Sequence, residues 1–151
     1  MSNFVATELF THGTPPFNIP NIHFVHVALA SIDDAGITRT YLVEEFIDES
    51  VEGKFTKYIS NNSPSPLSNL DAKSSRIARY LSFAQHVQYI KMRKLAYVAD
   101  FHGLHSILYV LLTIFTSDLS GCLFTEGNLM HVFTSFEDKH VCNEFCKFFS
   151  T

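Results

Sequence analysis

The sequence predicts an α+β fold, and three observations carry that prediction. Two stretches rich in β-branched and aromatic residues occupy the first third of the chain. A long amphipathic pattern follows them, and a further strand pattern then precedes two short helical ones. Strands and helices are thus grouped rather than regularly alternating, which is the α+β order. With 151 residues, 46 % of them hydrophobic, the chain can form one domain with a buried core.

A β-hairpin is the first predicted element. Residues 1–20 contain three prolines and a glycine, which indicate an irregular lead-in, so we expect the folded domain over residues 21–150. The β-branched and aromatic content of Ile22–Leu29 and Tyr41–Ile47 predicts two strands. The intervening segment Asp33–Gly36 has the composition of a turn, so the two strands are expected to form a hairpin.

A loop and a long helix are predicted next. Residues Ser60–Asn69 are rich in serine, asparagine and proline, which is typical of a loop. Apolar residues then recur from Ile77 to Val87 at three- and four-residue spacing. This spacing predicts an amphipathic helix that ends near Lys91.

The last third of the chain is predicted to form a strand and two helices. Leu95–Phe101 has the composition of a mostly buried strand, and we expect it to terminate at Asp100. A second helix is predicted around Leu129–Phe136 and a short third one over Val141–Phe149.

Charge and composition exclude several classes of partner and location. The net charge of −4 gives no overall basic footprint, so we expect neither nucleic acid nor an anionic membrane as the main partner. No signal peptide is visible at the N-terminus. The longest apolar run, Leu104–Phe115, has twelve residues, whereas a membrane span needs about 20. Three cysteines are too few for a disulfide framework, so we expect a soluble, cytoplasmic protein.

A histidine–cysteine cluster near the C-terminus is the strongest chemical signal in the chain. His140, Cys142 and Cys146 form an H-x-C-x3-C pattern, and on a helix the two sulfurs would project from one face. These are ligand types that zinc prefers, but a tetrahedral site needs a fourth ligand from elsewhere. The alternative is that the cysteines are ordinary buried thiols on an apolar helix face.

Several stretches together resemble the alpha-type (atypical) protein kinases, the family of myosin heavy-chain and elongation-factor-2 kinases. They cover roughly residues 40–150, in the family's order. They are Tyr41–Ile47 with Phe55–Asn62 (the EP…G-x-F-x-K-Y-x-N-N stretch), Leu81–His86 (the F-x-H helix), Ala99–Gly103 (the D-L-Q-G strand end), Glu126–Asn128 (the G-x-G-N loop) and His140–Cys146 (the H-x-C-N-x-x-C zinc signature).

The resemblance implies a structural zinc site and the fold around it. In the family the histidine of the F-x-H helix binds the zinc, which places His86 beside His140, Cys142 and Cys146. Two imidazoles and two thiolates make a closed site with no position for water. The implied architecture is the C-terminal lobe of an alpha-kinase-like fold with a reduced N-terminal lobe.

The resemblance also implies a nucleotide site. Asp100 takes the position of the D-L-Q-G aspartate and is the expected catalytic residue. Glu44 is expected beside the adenine, and Gly127 and Asn128 in the loop over the phosphates. ATP and Mg²⁺ are the expected substrate and cofactor, and a protein of unknown identity is the expected acceptor.

Four departures from the family's pattern concern catalysis. His102 replaces the glutamine of D-L-Q-G, and Thr125 replaces the first glycine of G-x-G-N. Leu111–Phe115 stands where T-D-P-Q is expected, and no lysine precedes Lys54 although the family has a phosphate-binding lysine on an N-lobe strand. Three hypotheses follow: an alpha-type serine/threonine kinase domain, a catalytically dead pseudokinase or zinc-stabilised interaction module, and a fragment from an incomplete gene model.

Overall fold

The computed structural model describes residues 13–104, 107–116 and 130–150. Within these ranges the chain forms a mixture of strands and helices, in agreement with the predicted fold class. The strands are β1 His23–Phe24, β2 Val27–Asp34, β3 Ile37–Glu44, β4 Thr56–Lys57, β5 Ala96–Gly103 and β6 Ile107–Thr116. The helices are α1 Glu49–Glu52, α2 Ala72–Lys91, α3 Met130–Thr134, α4 Phe136–Lys139 and α5 Glu144–Phe148.

The predicted hairpin is confirmed, with different strand bounds. β2 and β3 pair antiparallel from Val27↔Glu44 to Asp34↔Ile37. Ala35 and Gly36 connect them with φ values of 48° and 82°, the positive pair that a two-residue type I′ turn requires. Because the turn uses only two residues, both strands extend further toward it than the sequence predicted. Ile47 lies beyond the end of β3.

Both faces of the hairpin expose large apolar side chains. Leu29 and Leu42 on one face are 75 % and 57 % exposed, and Ile32 and Ile37 on the other are 57 % and 59 % exposed. A two-stranded hairpin without a buried face is marginally stable in water. In the part of the chain that the structure describes, this element therefore lacks the packing that a sheet usually has.

The second sheet has four strands in the order β1-β6-β5-β4. β5 and β6 form its long antiparallel pair, from Ala96↔Thr116 to Gly103↔Leu108. β1 pairs parallel with β6, and β4 pairs antiparallel with the C-terminal end of β5. This last pairing sets Lys57 opposite His102.

Helix α2 lies against β5 and is bound to its main chain. The Asp71 carboxylate caps the helix by accepting from the Ser74 N–H at 2.8 Å, and the helix ends at Lys91 as predicted. The Gln85 side-chain amide donates to the Val98 carbonyl at 2.8 Å, and the Gln88 side-chain oxygen accepts from the Val98 N–H at 2.7 Å. These two bonds satisfy both main-chain polar groups of Val98.

Three aromatic-rich clusters around α2 form the core. Each combines residues of α2 with residues from other parts of the chain. They are Tyr80, Phe83 and Val87 with Phe145, Cys146 and Phe149; Ile77, Ala78 and Leu81 with Tyr58, Ile59 and Phe101; and Tyr89 with Tyr97, Ala99, Val132, Phe133 and Phe136.

Other predicted boundaries were wrong. The strand predicted to terminate at Asp100 continues to Gly103, because a bulge between Ala99 and Phe101 shifts the register while the pairing with β6 goes on. The strand predicted over Ile22–Leu29 is split between β1 and β2. The second predicted helix is two short ones, α3 and α4. In the described ranges, no helix is long and apolar enough to cross a membrane.

Candidate functional site

Four predicted metal ligands converge beside the C-terminal half of α2. His86 comes from α2, His140 follows α4, Cys142 lies in the link before α5, and Cys146 lies in α5. Their ligand atoms all lie within 4.8 Å of one another. Cys142 Sγ is 3.8 Å from His86 Nδ1, and Cys146 Sγ is 3.7 Å from His140 Nε2. Ligand atoms of tetrahedral zinc are roughly 3.3–3.8 Å apart, so the cluster is compatible with a zinc site.

The local structure around the cysteines differs from the prediction. The Asn143 side-chain oxygen caps α5 by accepting from the Phe145 N–H at 3.0 Å, and its amide donates to the Arg79 carbonyl at 2.8 Å. Cys142 therefore precedes the helix, and the prediction that both cysteines share one helix face is wrong. The two sulfurs still converge because Asn143 ties the link to α2.

Burial favours the neutral form of both imidazoles, which is the form that binds a metal. It lowers the pKa of His140 to about 4, with a smaller contribution from the neighbouring His86, and it also lowers the pKa of His86. Phe136 stacks on the His140 ring at 5.3 Å. The Ser82 hydroxyl lies 3.5 Å from His140 Nδ1. This is the other ring nitrogen from Nε2, which lies near the Cys146 sulfur. Such an outer contact helps to orient a ligating histidine.

Asp100 occupies a strained and buried position in β5. It lies at the bulge with φ 59°, a left-handed conformation that is uncommon for residues other than glycine. Its side chain is 12 % exposed, and one carboxylate oxygen lies 2.6 Å from the Lys57 ammonium. That oxygen has no hydrogen bond in the described part of the chain, so the ion pair is its compensation for burial.

His102 lies two residues further along β5, where it pairs with Lys57 of β4. Burial lowers the pKa of His102, the Asp100 carboxylate opposes that change, and Lys57 adds to it. The Phe55 ring meets the imidazole edge-on at 6.1 Å. The net lowering of its pKa favours the neutral form of the His102 imidazole.

The other predicted site residues are not gathered around Asp100 by any described contact. Glu44 ends β3 in the separate two-stranded sheet, opposite Val27. Gly127 and Asn128 lie outside the described residues, as does Thr125. The main chain of Leu111–Phe115, where the family has T-D-P-Q, continues as strand β6.

Lys57 is the contact that sequence reasoning missed. The residue lies in the Phe55–Asn62 stretch of the family resemblance, and nothing local in the sequence links it to a carboxylate 43 positions away. Only the register of β4 on β5 brings the two side chains together.

Comparison with known proteins places the fold. A model of the alpha-kinase family matches residues 3–146. No curated protein matches the chain. The alpha-kinase domain of myosin heavy chain kinase A in complex with AMP is similar, with a TM-score of 0.59 and 22 % identity over 98 % of this chain and 54 % of that one. The same domain in complex with ADP has a TM-score of 0.60 and 22 % identity, over 98 % of this chain and 53 % of that one. An inactive aspartate-to-alanine variant of that domain in complex with ATP has a TM-score of 0.60 and 23 % identity, over 97 % of this chain and 53 % of that one.

The identities and the coverage limit what these similarities show. At 22–23 % identity they establish a shared fold rather than a shared activity. The chain spans about half the length of the similar domains.

Proposed function

The chain belongs to the alpha-kinase family, and from this premise we propose that it is an alpha-type serine/threonine protein kinase domain that binds ATP. The observation that carries the proposal is the state of Asp100. A buried carboxylate held in a left-handed conformation at a bulge is costly, and such strain is concentrated at functional sites. The position is the one the family resemblance assigns to catalysis.

The proposed reaction is transfer of the γ-phosphoryl group of ATP to a protein hydroxyl. The hydroxyl oxygen forms a bond to the γ-phosphorus, the bond to the bridging oxygen breaks, and ADP leaves. We assign Asp100 to orienting the hydroxyl and accepting its proton. Glu44 is assigned to the adenine side, and Gly127 and Asn128 to the loop over the phosphates. Positioning and charge stabilisation supply most of the catalysis in such reactions.

We further propose that His86, His140, Cys142 and Cys146 hold one structural zinc ion. The mutual distances of the donor atoms, the neutral imidazoles and the two thiols support this assignment. A four-ligand zinc supplies a crosslink and leaves no open position for a reactant. Here the crosslink joins α2 to the segment 140–146.

Magnesium fits the described residues less well. Mg²⁺ prefers oxygen ligands in octahedral geometry. Around Asp100 the described residues offer one carboxylate, already paired with Lys57, and the His102 imidazole where the family pattern has a glutamine oxygen. Within the described ranges the His86 cluster is the only group of three or more histidine, cysteine or acidic side chains suited to a metal. We therefore assign no step of the reaction to magnesium.

A non-catalytic, zinc-stabilised interaction module is the second candidate. It is favoured by the Lys57–Asp100 ion pair, which already occupies the carboxylate, and by the apolar hairpin exposed on both faces. It predicts folding that depends on zinc and not on ATP.

Calorimetric titration of the zinc-loaded chain with ATP, with and without magnesium, separates the two candidates. Binding that Asp100→Asn changes, followed by phosphate transfer to a generic protein substrate that this variant lacks, supports the kinase. Asparagine tolerates the left-handed conformation, so the variant is expected to keep its fold. A folded, zinc-loaded chain that binds no ATP would establish the interaction module instead.

A further inference from the structure

The two faces of the β2–β3 hairpin differ in composition. Opposed residues of an antiparallel pair lie on the same face, so the register of β2 on β3 assigns every residue of the hairpin to one of two faces. One of them, called here the apolar face, carries six apolar residues, none of which is buried in the described part of the chain: Ala28, Ala30, Ile32, Ile37, Tyr41 and Val43. This face extends over the length of the hairpin.

The opposite face has fewer apolar residues and hydrogen-bonds several of its own polar groups. The Ser31 and Thr40 hydroxyls lie 3.2 Å apart, and the Thr38 hydroxyl donates to the Asp33 carboxylate at 2.6 Å. The apolar residues of this face lie at the end remote from the turn: Val27, Leu29 and Leu42. The apolar face is therefore the larger of the two surfaces that need a cover.

Four large side chains leave much of the apolar face accessible to solvent. Ile32, Ile37, Tyr41 and Val43 are 57 %, 59 %, 46 % and 49 % exposed. A large side chain has roughly 200 Å² of surface, so these four present roughly 400 Å² of mostly apolar area. A patch of this size is comparable with the largest one on a typical monomer, and such patches are often interaction sites.

The rows of the apolar face set small residues beside large ones. Ala30 of β2 is opposite Tyr41 of β3, and Ala28 is opposite Val43. The β2 side of these rows is therefore low and the β3 side is high. A surface of this shape fits a second copy of itself when the low strand of each copy lies over the high strand of the other.

The charged residues of the same face have the same complementarity. Asp34 of β2 and Arg39 of β3 lie in adjacent rows near the turn. Neither side chain has an ion pair or hydrogen bond among the residues that the structure describes. When β2 of one copy lies over β3 of another, each Asp34 approaches the Arg39 of the other copy, so the contact contains two ion pairs. A partner with a different surface would not require both charges and both sizes on one face.

We propose that two copies of the chain associate through the apolar faces of their hairpins, about a two-fold axis that runs along the strands. β2 of each copy lies over β3 of the other, as in the aligned packing of two sheets. The two patches together bury roughly 800 Å², less than the roughly 1,200–2,000 Å² of stable complexes, so we expect a reversible dimer with a Kd on the order of micromolar. This association does not depend on whether the chain transfers phosphate.

Sedimentation equilibrium of the full chain is expected to show a monomer–dimer equilibrium. Val43→Lys is expected to raise the Kd of the dimer at least about tenfold, because it places a charge in the apolar contact. Val27→Lys is the matched control, since Val27 is the same residue type and is 48 % exposed, but lies on the opposite face. Both valines are exposed, so both variants are expected to keep the fold, which far-ultraviolet circular dichroism verifies.

Exchange of the two charges tests how the strands are paired. Arg39→Asp places a carboxylate against Asp34 of the second copy and is expected to raise the Kd about fivefold or more. The double variant Asp34→Arg/Arg39→Asp restores opposite charges and should recover most of the affinity.

The proposal is overturned if the chain stays monomeric throughout the micromolar range, which would leave the apolar face to another polypeptide. It is overturned if Val43→Lys and Val27→Lys weaken association equally, or if the double charge variant associates no better than Arg39→Asp. Association that continues past the dimer to larger aggregates would also overturn it, since unpaired hairpin edges would then explain the contact.

Discussion

At the scale of single residues, Asp100 and Lys57 form the most consequential contact. The carboxylate is almost completely buried and its ion pair is short, while the lysine remains 45 % exposed. Removing one partner of a buried pair costs more than removing both, because the remaining charge is left uncompensated. The buried charge of Asp100 therefore needs a compensating cation, and in the described part of the chain Lys57 provides it.

Lys57→Met is expected to lower the free energy of unfolding by about 1–3 kcal/mol, since it strands a buried carboxylate. The Lys57→Met/Asp100→Asn double variant should recover most of this loss because no charge remains. Urea denaturation measures both effects. Lys54→Met, which removes an exposed lysine three positions earlier, serves as the control. Equal losses of stability in Lys57→Met and Lys54→Met would contradict the assignment of Lys57 as the partner of Asp100.

The histidine cluster makes stability depend on pH. The pKa of His140 is about 4 in the folded chain, against 6.5 when exposed, so between these values the unfolded state binds more protons. Stability is therefore expected to fall as the pH falls from about 6.5 toward 4. The measurement is urea denaturation of the metal-free chain across this range. His140→Asn should flatten the dependence, whereas the exposed His23→Asn should not; an unchanged slope in His140→Asn would refute the explanation.

At the scale of elements, the attachment of α2 to β5 depends on two glutamines with opposite roles. Gln85 donates to the Val98 carbonyl, and Gln88 accepts from the Val98 N–H. Because both bonds go to one residue of the strand, they hold α2 against β5 and also prevent it from sliding along β5. This fixes the position of His86, which follows Gln85 on the same helix.

The same substitution at these two positions is expected to have different effects. Gln88→Glu retains an acceptor for the Val98 N–H and should change stability little. Gln85→Glu places a carboxylate against the Val98 carbonyl at a fully buried position and should cost about 2 kcal/mol or more. Thermal unfolding of the two variants tests the ranking, and a larger loss in Gln88→Glu would show that the hydrogen-bond roles are assigned wrongly.

At the scale of the whole molecule, the chain combines a packed region with an exposed hairpin. Aromatic clusters around α2 and the His86 cluster join helices, sheet and C-terminal segment. The hairpin exposes apolar residues on both faces, and the chain spans about half the length of the similar domains. Metal binding is therefore expected to contribute a large share of the stability, because the proposed crosslink lies within the packed region.

Removing zinc with a chelator is expected to lower the free energy of unfolding by roughly 4 kcal/mol, the value for a free metal at a thousand times its Kd. Mass spectrometry of the native chain should give one zinc per molecule, and thermal unfolding with and without chelator should measure the loss. Cys146→Ser should behave like the chelated chain. If Cys146→Ser still bound one zinc and had the unfolding temperature of the unsubstituted chain, the assignment of four zinc ligands would be contradicted.

The sequence by itself determined the local elements and the composition of the metal cluster. The helical spacing from Ile77 to Val87, the turn at Gly36 and the H-x-C-x3-C pattern are all local, so they can be recognised without a fold. The family resemblance added His86, which no local spacing connects to His140. Tertiary structure alone decided that Cys142 lies before α5, that β5 passes through Asp100, and that Lys57 reaches this carboxylate. These features depend on a helix cap tied to α2, on a bulge and on strand register, which are set by contacts between distant segments and leave no periodic trace in the sequence.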